Sequence, residues 1–309
     1  MPLRTALLAL SRSRVLRDAF TRRRLFPTAV SRFIAGPDVT DALAVVERLG
    51  ARGFRATLNH LGEHVESAAA AAAEVEAQRA ALAHLRRAGL SSHLSVKLTQ
   101  LGLDVDADLG AGNLRQILAE AAALPTFVRV DMEGSAYTER TLALYRVLRP
   151  AFPDVGVVLQ AYLHRTAADL EALLSLGVNV RLCKGAYREP ASIAFPRKRD
   201  VDQCYLRLAA RLLAPDSLER GAFAAFATHD PRMVAGVRRL AAERNVPRDR
   251  FEFQMLYGIA RDLQRALVAA GYGVRIYIPY GDAWYPYFMR RLAERPANLV
   301  FLVRSLFRR

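Results

Sequence analysis

Cysteine, lysine and long apolar runs are scarce in this sequence, and each shortage excludes something. Two cysteines, Cys183 and Cys204, in 309 residues cannot build a disulfide framework, which favours a reducing compartment. No apolar run approaches the ~18 residues of a membrane-spanning helix, so the chain is not expected to cross a bilayer. The stretch Ala6–Leu10 is too short for a secretory signal. No G-x-G-x-x-G follows a strand-like segment and no G-x-x-x-x-G-K-[ST] occurs, so neither a Rossmann fold nor a P-loop is supported. Any nucleotide cofactor would have to be held by loops and cationic side chains. Lysine is scarce beside arginine: Lys97, Lys184 and Lys198 stand against 42 arginines. A position that keeps a compact ammonium in this background wants something a wide planar guanidinium cannot supply.

What remains has ordinary globular proportions, 52% hydrophobic and 24% charged, which excludes a disordered or collagen-like chain. Of the net charge of +15, residues 1–24 hold +6. Residues 1–24 carry seven arginines against the single acid Asp18. Three readings of this segment compete: a solvated helix, a helix drawn to an anionic membrane surface, and a mitochondrial presequence. Elsewhere the arginines are scattered without aromatic stacking platforms, so no nucleic-acid partner is expected.

A repeated unit organises the chain. Strand-like runs recur at Phe54–Asn59, His93–Leu98, Phe127–Met132, Val155–Gln160, Asn179–Gly185, Phe223–Asp230, Phe251–Leu256 and Val274–Gly281, with starts about 31 residues apart on average. Helix-forming stretches lie between them, among them Ser67–Ala88, Thr138–Leu148 and Arg261–Ala270, with Gly89 and Gly271 at C-cap positions. Strands alternating with helices imply a parallel sheet, and eight of them imply a closed (βα)8 TIM-type barrel. Residues 1–50 read as a basic segment of accessory helices, with a helix start at Pro37–Thr40, and residues 51–309 as the barrel.

Alternation within the strands predicts which side chains face inward. His93, Ser95 and Lys97 share one face of the second strand, and Arg129 and Asp131 one face of the third. Barrel sites form at strand C-termini, where Asn59, Lys97, Asp131, Gln160, Arg181, Lys184, Tyr187, Thr228, His229, Asp230, Gln254 and Tyr277 fall. After the eighth strand, Tyr287, Arg290, Arg291 and Glu294 are spaced to share a helix face, where two guanidiniums could clamp a carboxylate while Glu294 orients them. His60-Leu61-Gly62-Glu63-His64 fits the H-x-x-E-H zinc-peptidase pattern, but Gly62 lies inside it and no third ligand is evident, so no metal site is expected.

Seven of these segments, in order, resemble the proline dehydrogenase family: Ser95–Gly102, Val130–Glu133, Leu159–Tyr162, Arg181–Tyr187, Thr228–Asp230, Glu252–Gly258 and Tyr287–Glu294. The resemblance runs from about residue 30 to 300. It implies a distorted (βα)8 barrel with non-covalent FAD that oxidises L-proline to Δ1-pyrroline-5-carboxylate, the first step of proline catabolism to glutamate, and passes electrons to a membrane quinone. It further implies that Lys97, Arg290 and Arg291 bind the substrate carboxylate, that Glu294 holds the arginine pair, and that Tyr277, Tyr287 and Leu256 surround the ring. Arg181 would lie near flavin N5, with Met132, Gln160, Lys184, Gly185, Ala186, Thr228, His229 and Gln254 also at the cofactor. Asp131, Arg181 and Tyr187 form the implied catalytic set, with Asp131 linked to Lys97 or Tyr187. The loop Pro279–Tyr285 is shorter than in bifunctional relatives, and the chain has no room for an appended aldehyde dehydrogenase, so a monofunctional enzyme is expected. Implied partners are the quinone, a peripheral membrane surface on the inner face of a bacterial membrane, and transient contact with a pyrroline-5-carboxylate dehydrogenase. Hydroxyproline as substrate and a zinc peptidase built on His60 and His64 are the alternatives.

Overall fold

The computed structural model describes residues 30–62, 65–124 and 126–294, and side chains through residue 289. Its centre is a closed barrel of eight parallel strands in sequential order. These are β1 (Arg55–His60), β2 (His93–Val96), β3 (Val128–Val130), β4 (Val155–Gln160), β5 (Asn179–Cys183), β6 (Phe223–Ala227), β7 (Phe251–Leu256) and β8 (Val274–Tyr280). Pairing of Thr57 with both His93 and Tyr277 closes the ring between β2, β1 and β8.

Ten α-helices accompany the strands among the described residues: α1 (Val39–Gly50), α2 (Ala68–Ala88), α3 (Ala107–Ala122), α4 (Ser135–Leu148), α5 (Thr166–Leu174), α6 (Lys198–Leu212), α7 (Pro215–Glu219), α8 (Pro231–Glu243), α9 (Arg261–Ala269) and α10 (Trp284–Glu294). Their ends follow local chemistry. Ser67 accepts the Ala70 N–H and starts α2, while Gly89 ends it in the left-handed region at φ 62°. Asp38 caps α1 in a reciprocal box with Asp41. Helix α1 then packs beside β1 and β8.

Strand alternation sorts the side chains as the sequence predicts. Leu94, Val96, Val128, Val130, Val157, Leu182, Phe226, Phe253 and Ile276 are buried in one continuous core with the helices. The polar alternates occupy the barrel interior, where Arg129, Asp131, Arg181, Glu252, Gln254 and Arg275 are all buried.

Several strands end earlier than the sequence suggests. Strand β2 stops at Val96 because the Lys97 carbonyl accepts from the Gln100 and Leu101 amides, turning the chain into a tight coil. Strand β5 stops at Cys183, before Gly185 at φ 121°. Strand β6 stops at Ala227, because Asp230 is spent capping α8: its carboxylate accepts the Arg232 N–H at 3.1 Å. Each shortening turns residues assigned to a strand into a loop at the C-terminal mouth.

Candidate active site

At the mouth, four side chains from β2 and the turn after it, β5 and β8 converge on one carboxylate. Asp131, one residue beyond β3, accepts from Ser95 Oγ of β2 at 2.8 Å and from Arg181 Nη1 of β5 at 2.6 Å. Tyr277 Oη of β8 donates to it at 2.8 Å, and Lys97 Nζ approaches at 3.5 Å while donating to Asn59 Oδ1 of β1 at 3.1 Å. Burial alone would favour a protonated Asp131, but Lys97 and Arg181, with hydrogen bonds from Ser95 and Tyr277, outweigh it and hold the carboxyl below its ordinary range. Burial, reinforced by the charge of Asp131, drives Tyr277 well above the usual phenol range, so Tyr277 remains a donor. The Arg181 guanidinium lies 5.2 Å from the Tyr277 ring centroid. Of the two partners expected for Asp131, the structure gives it Lys97; Tyr187 stands 44% exposed on the loop after β5.

The remaining candidates spread around the same rim. Gln160, ending β4, donates to the Glu133 carbonyl at 2.8 Å, and Met132, next to Glu133 in sequence, is buried. Gly185 and Ala186 are exposed on the loop after β5. His229 Nε2 accepts the Leu256 N–H at 2.8 Å, so the neutral ring carries its proton on Nδ1. Thr228 Oγ1 accepts the Asp230 N–H. Lys184 contacts Asp202 and Asp230, and Lys198 and Arg232 reach the same two carboxylates. Three cations against two acids leave this side of the rim positive.

Helix α10 lies over the mouth. Trp284, Tyr285, Tyr287, Phe288 and Met289 are buried in a cluster with Phe33, Ile34, Leu61 and Ile259, and Leu256 at the end of β7 packs against it. Tyr287 is close enough to Tyr277 to contribute to the upward shift of its pKa. Arg290, Arg291 and Glu294 continue this helix, and their side chains lie outside the described residues.

The H-x-x-E-H segment divides. His60 ends β1 and hydrogen-bonds through Nδ1 to Glu74 Oε2 of α2 at 2.8 Å, whereas Glu63 and His64 lie outside the described residues. Among the described residues no group of three or more His, Cys, Asp or Glu side chains is placed to hold a metal ion. No described helix is long and apolar enough to cross a membrane.

A family model for proline dehydrogenase matches residues 42–304. The chain belongs to the proline dehydrogenase family. It is 41% identical over 278 residues to proline dehydrogenase 2 of Bacillus subtilis (strain 168), covering 90% of each chain. It is 39% identical over 296 residues to the proline dehydrogenase of Deinococcus radiodurans, covering 94% of each. Among solved structures, proline utilization A of Bdellovibrio bacteriovorus, inactivated by N-propargylglycine, superposes with a TM-score of 0.80 at 26% identity. That match covers 86% of this chain and 32% of the other. The chain is thus an enzyme of the proline dehydrogenase family, built on the barrel that its strand spacing predicts.

Some participants escaped the sequence reading. Ser95 is visible there as an inward-facing residue but not as a ligand of Asp131. Asp202 joins the rim from α6, and no local pattern marks it. Glu189, on the loop after β5, accepts from Ser135 N and Oγ at 2.7 Å each, tying that loop to the start of α4. Glu252 stands two residues before Gln254 on β7, so the same alternation that selects Gln254 also aims Glu252 inward.

Proposed function

We propose that the chain oxidises L-proline to Δ1-pyrroline-5-carboxylate with non-covalently bound FAD and delivers the electrons to a membrane quinone. The observation that carries this reading is the knot at the mouth, where Asp131 holds Lys97, Arg181 and Tyr277 in fixed relation. The donor set fits a flavin dinucleotide held without a glycine-rich fingerprint. Arg181 spends Nε and Nη1 on Gln254, Asp131 and Ser95, leaving Nη2 as a further donor. The surplus positive charge of Lys184, Lys198 and Arg232 suits a pyrophosphate. Met132, Gln160, Arg181, Lys184, Gly185, Ala186, Thr228, His229 and Gln254 would hold the cofactor. When bound, FAD supplies the two-electron acceptor.

This chain's residues do the rest. Proline offers one strong handle, its carboxylate, which Lys97 with Arg290 and Arg291 would bind while Glu294 steadies the arginine pair. Tyr277, Tyr287 and Leu256 would pack around the ring and expose its C5–H bond. Asp131 keeps Lys97 and Arg181 in place, and Tyr187 at the rim completes the catalytic set. Holding the reacting groups in this way can contribute about 7–11 kcal/mol in favourable cases. The ring nitrogen releases its proton to solvent, C5 loses hydride, and a C=N bond forms between them. The basic segment 1–24 would rest on the anionic inner face of a bacterial membrane, next to the quinone pool. A separate pyrroline-5-carboxylate dehydrogenase would take up the product through transient contact.

The deciding experiment is optical. Purified protein should show flavin absorbance that bleaches anaerobically on addition of L-proline and less readily with hydroxyproline. Flavin unbleached by proline, or a colourless protein carrying stoichiometric zinc, would overturn the proposal.

A further inference from the structure

Beneath the knot a second polar chain runs along the barrel axis. Arg275 of β8 grips Glu252 through Nε at 2.7 Å and Nη2 at 3.1 Å, and Arg55 of β1 reaches the same carboxylate at 3.2 Å. Gln254 Nε2 donates to Glu252 Oε1 at 2.6 Å, and Gln254 Oε1 accepts from Arg181 Nε. Arg181 Nη1 then donates to Asp131.

We infer that Glu252 is a positioning residue for the oxidation: acting through Gln254, it fixes the plane in which Arg181 is presented to the mouth. The inference rests on the function proposed above. An amide can face either way, with donor and acceptor exchanged. Glu252 is 1% exposed and, as an anion, can only accept, so it draws the Gln254 NH2 towards itself and turns the Gln254 carbonyl towards Arg181. A guanidinium bound at Nε by that carbonyl and at Nη1 by Asp131 has no freedom to rotate. Charge balance for Arg275 and Arg55 would account for a carboxylate at this place. It would not account for Gln254, which shares the oxygen gripped by Arg275 Nε and passes its orientation upward. With Glu252 neutral, the amide would be free to set its NH2 against the Arg181 N–H groups, and the upper end of the chain would lose its register.

The test compares flavin-loaded wild type, Glu252→Gln, Gln254→Leu and the double variant. Three quantities are read: the single-turnover rate of bleaching by L-proline, the proline Kd from its concentration dependence, and the flavin spectrum and midpoint potential without substrate. Misplacement of a positioned group on the ångström scale costs about 100-fold in rate. A slowing of that order is expected in each single variant, with proline Kd within about threefold of wild type, because uniform binding is not what is lost. The spectrum and potential should shift in the same direction in both. The double variant should be no slower than the slower single one, as expected of residues acting through one contact. A folded Glu252→Gln at the wild-type rate, or losses that multiply in the double variant, would overturn the inference. If Glu252→Gln does not fold, Gln254→Leu decides alone, since it leaves the Glu252 pairs with Arg275 and Arg55 intact; wild-type rate and spectrum there would refute the relay. Wild-type flavin that proline does not bleach refutes the proposed reaction instead, and the substrate-free spectra then still judge the relay.

Discussion

Tyr277 Oη and Lys97 Nζ meet at one oxygen, Asp131 Oδ2, at 2.8 and 3.5 Å, while Arg181 occupies the other oxygen at 2.6 Å. Strands β2 and β8, far apart in sequence, are thereby tied to β5 by a single carboxylate.

Removing that charge should be felt in stability as well as activity. Breaking a buried pair costs on the order of 3–5 kcal/mol, so Asp131→Asn should unfold at lower denaturant than wild type at neutral pH. The folded-state pKa of Asp131 lies below the unfolded value of about 3.9. The stabilisation is therefore complete above that unfolded value and disappears as pH falls through the lower, folded one. Unfolding curves at descending pH should show the gap between the two proteins closing only in strong acid; a gap unchanged there would contradict the assignment.

Tyr277→Phe keeps the ring beside Arg181 and deletes only the hydroxyl on Asp131. A hydrogen bond to a charged group contributes about 1.5–3 kcal/mol, so kcat/KM should fall by roughly tenfold or more. Activity should rise with pH as the substrate amine loses its proton. Because Tyr277 is held neutral, the variant should keep the same profile at lower amplitude. A changed pH profile would mean that the phenol itself titrates during turnover.

For Arg290→Met and Arg291→Met, KM for proline should climb by orders of magnitude while flavin stays bound. Steady-state kinetics beside the flavin-to-protein absorbance ratio separates the two effects. An unchanged KM in either variant would remove that arginine from the carboxylate clamp.

Gly185 sits at φ 121°, and a Cβ there would lie 2.2 Å from Tyr162 Cδ1. Gly185→Ala should therefore displace the loop after β5, at a backbone cost of about 1–3 kcal/mol before the ring clash is counted. Lower flavin occupancy and a lower melting temperature are expected. Wild-type values for both would show that the loop yields freely.

Replacing residues 1–24 with a neutral sequence should weaken binding to anionic liposomes and leave reduction of a soluble dye nearly unchanged. Sedimentation with vesicles of graded anionic content measures the first, and equal sedimentation would return the segment to the plain solvated helix.

Much of this architecture can be read along the chain. The period of the strands gives the barrel, and alternation alone aims Lys97, Asp131, Arg181 and Tyr277 at a common interior. Less accessible are contacts between residues far apart in sequence. Arg55 and Glu252 are 197 residues apart and meet only because β1, β8 and β7 are neighbours once the ring closes. Strand ends are less legible too, since Asp230 and the Lys97 carbonyl satisfy backbone donors in turns that hydrophobic pattern does not register. The Glu189 tie to Ser135 spans an intervening strand, and nothing in either segment announces it.

The distribution of ammonium groups makes the molecule its own chemical probe. Lys97, Lys184 and Lys198 all stand at one end of the barrel, so an acylating reagent selective for primary amines would mark that end and, apart from the chain terminus, nothing else. Protection of Lys97 and Lys184 in a labelling map would then report occupancy of the barrel mouth, with the more exposed Lys198 as an internal reference.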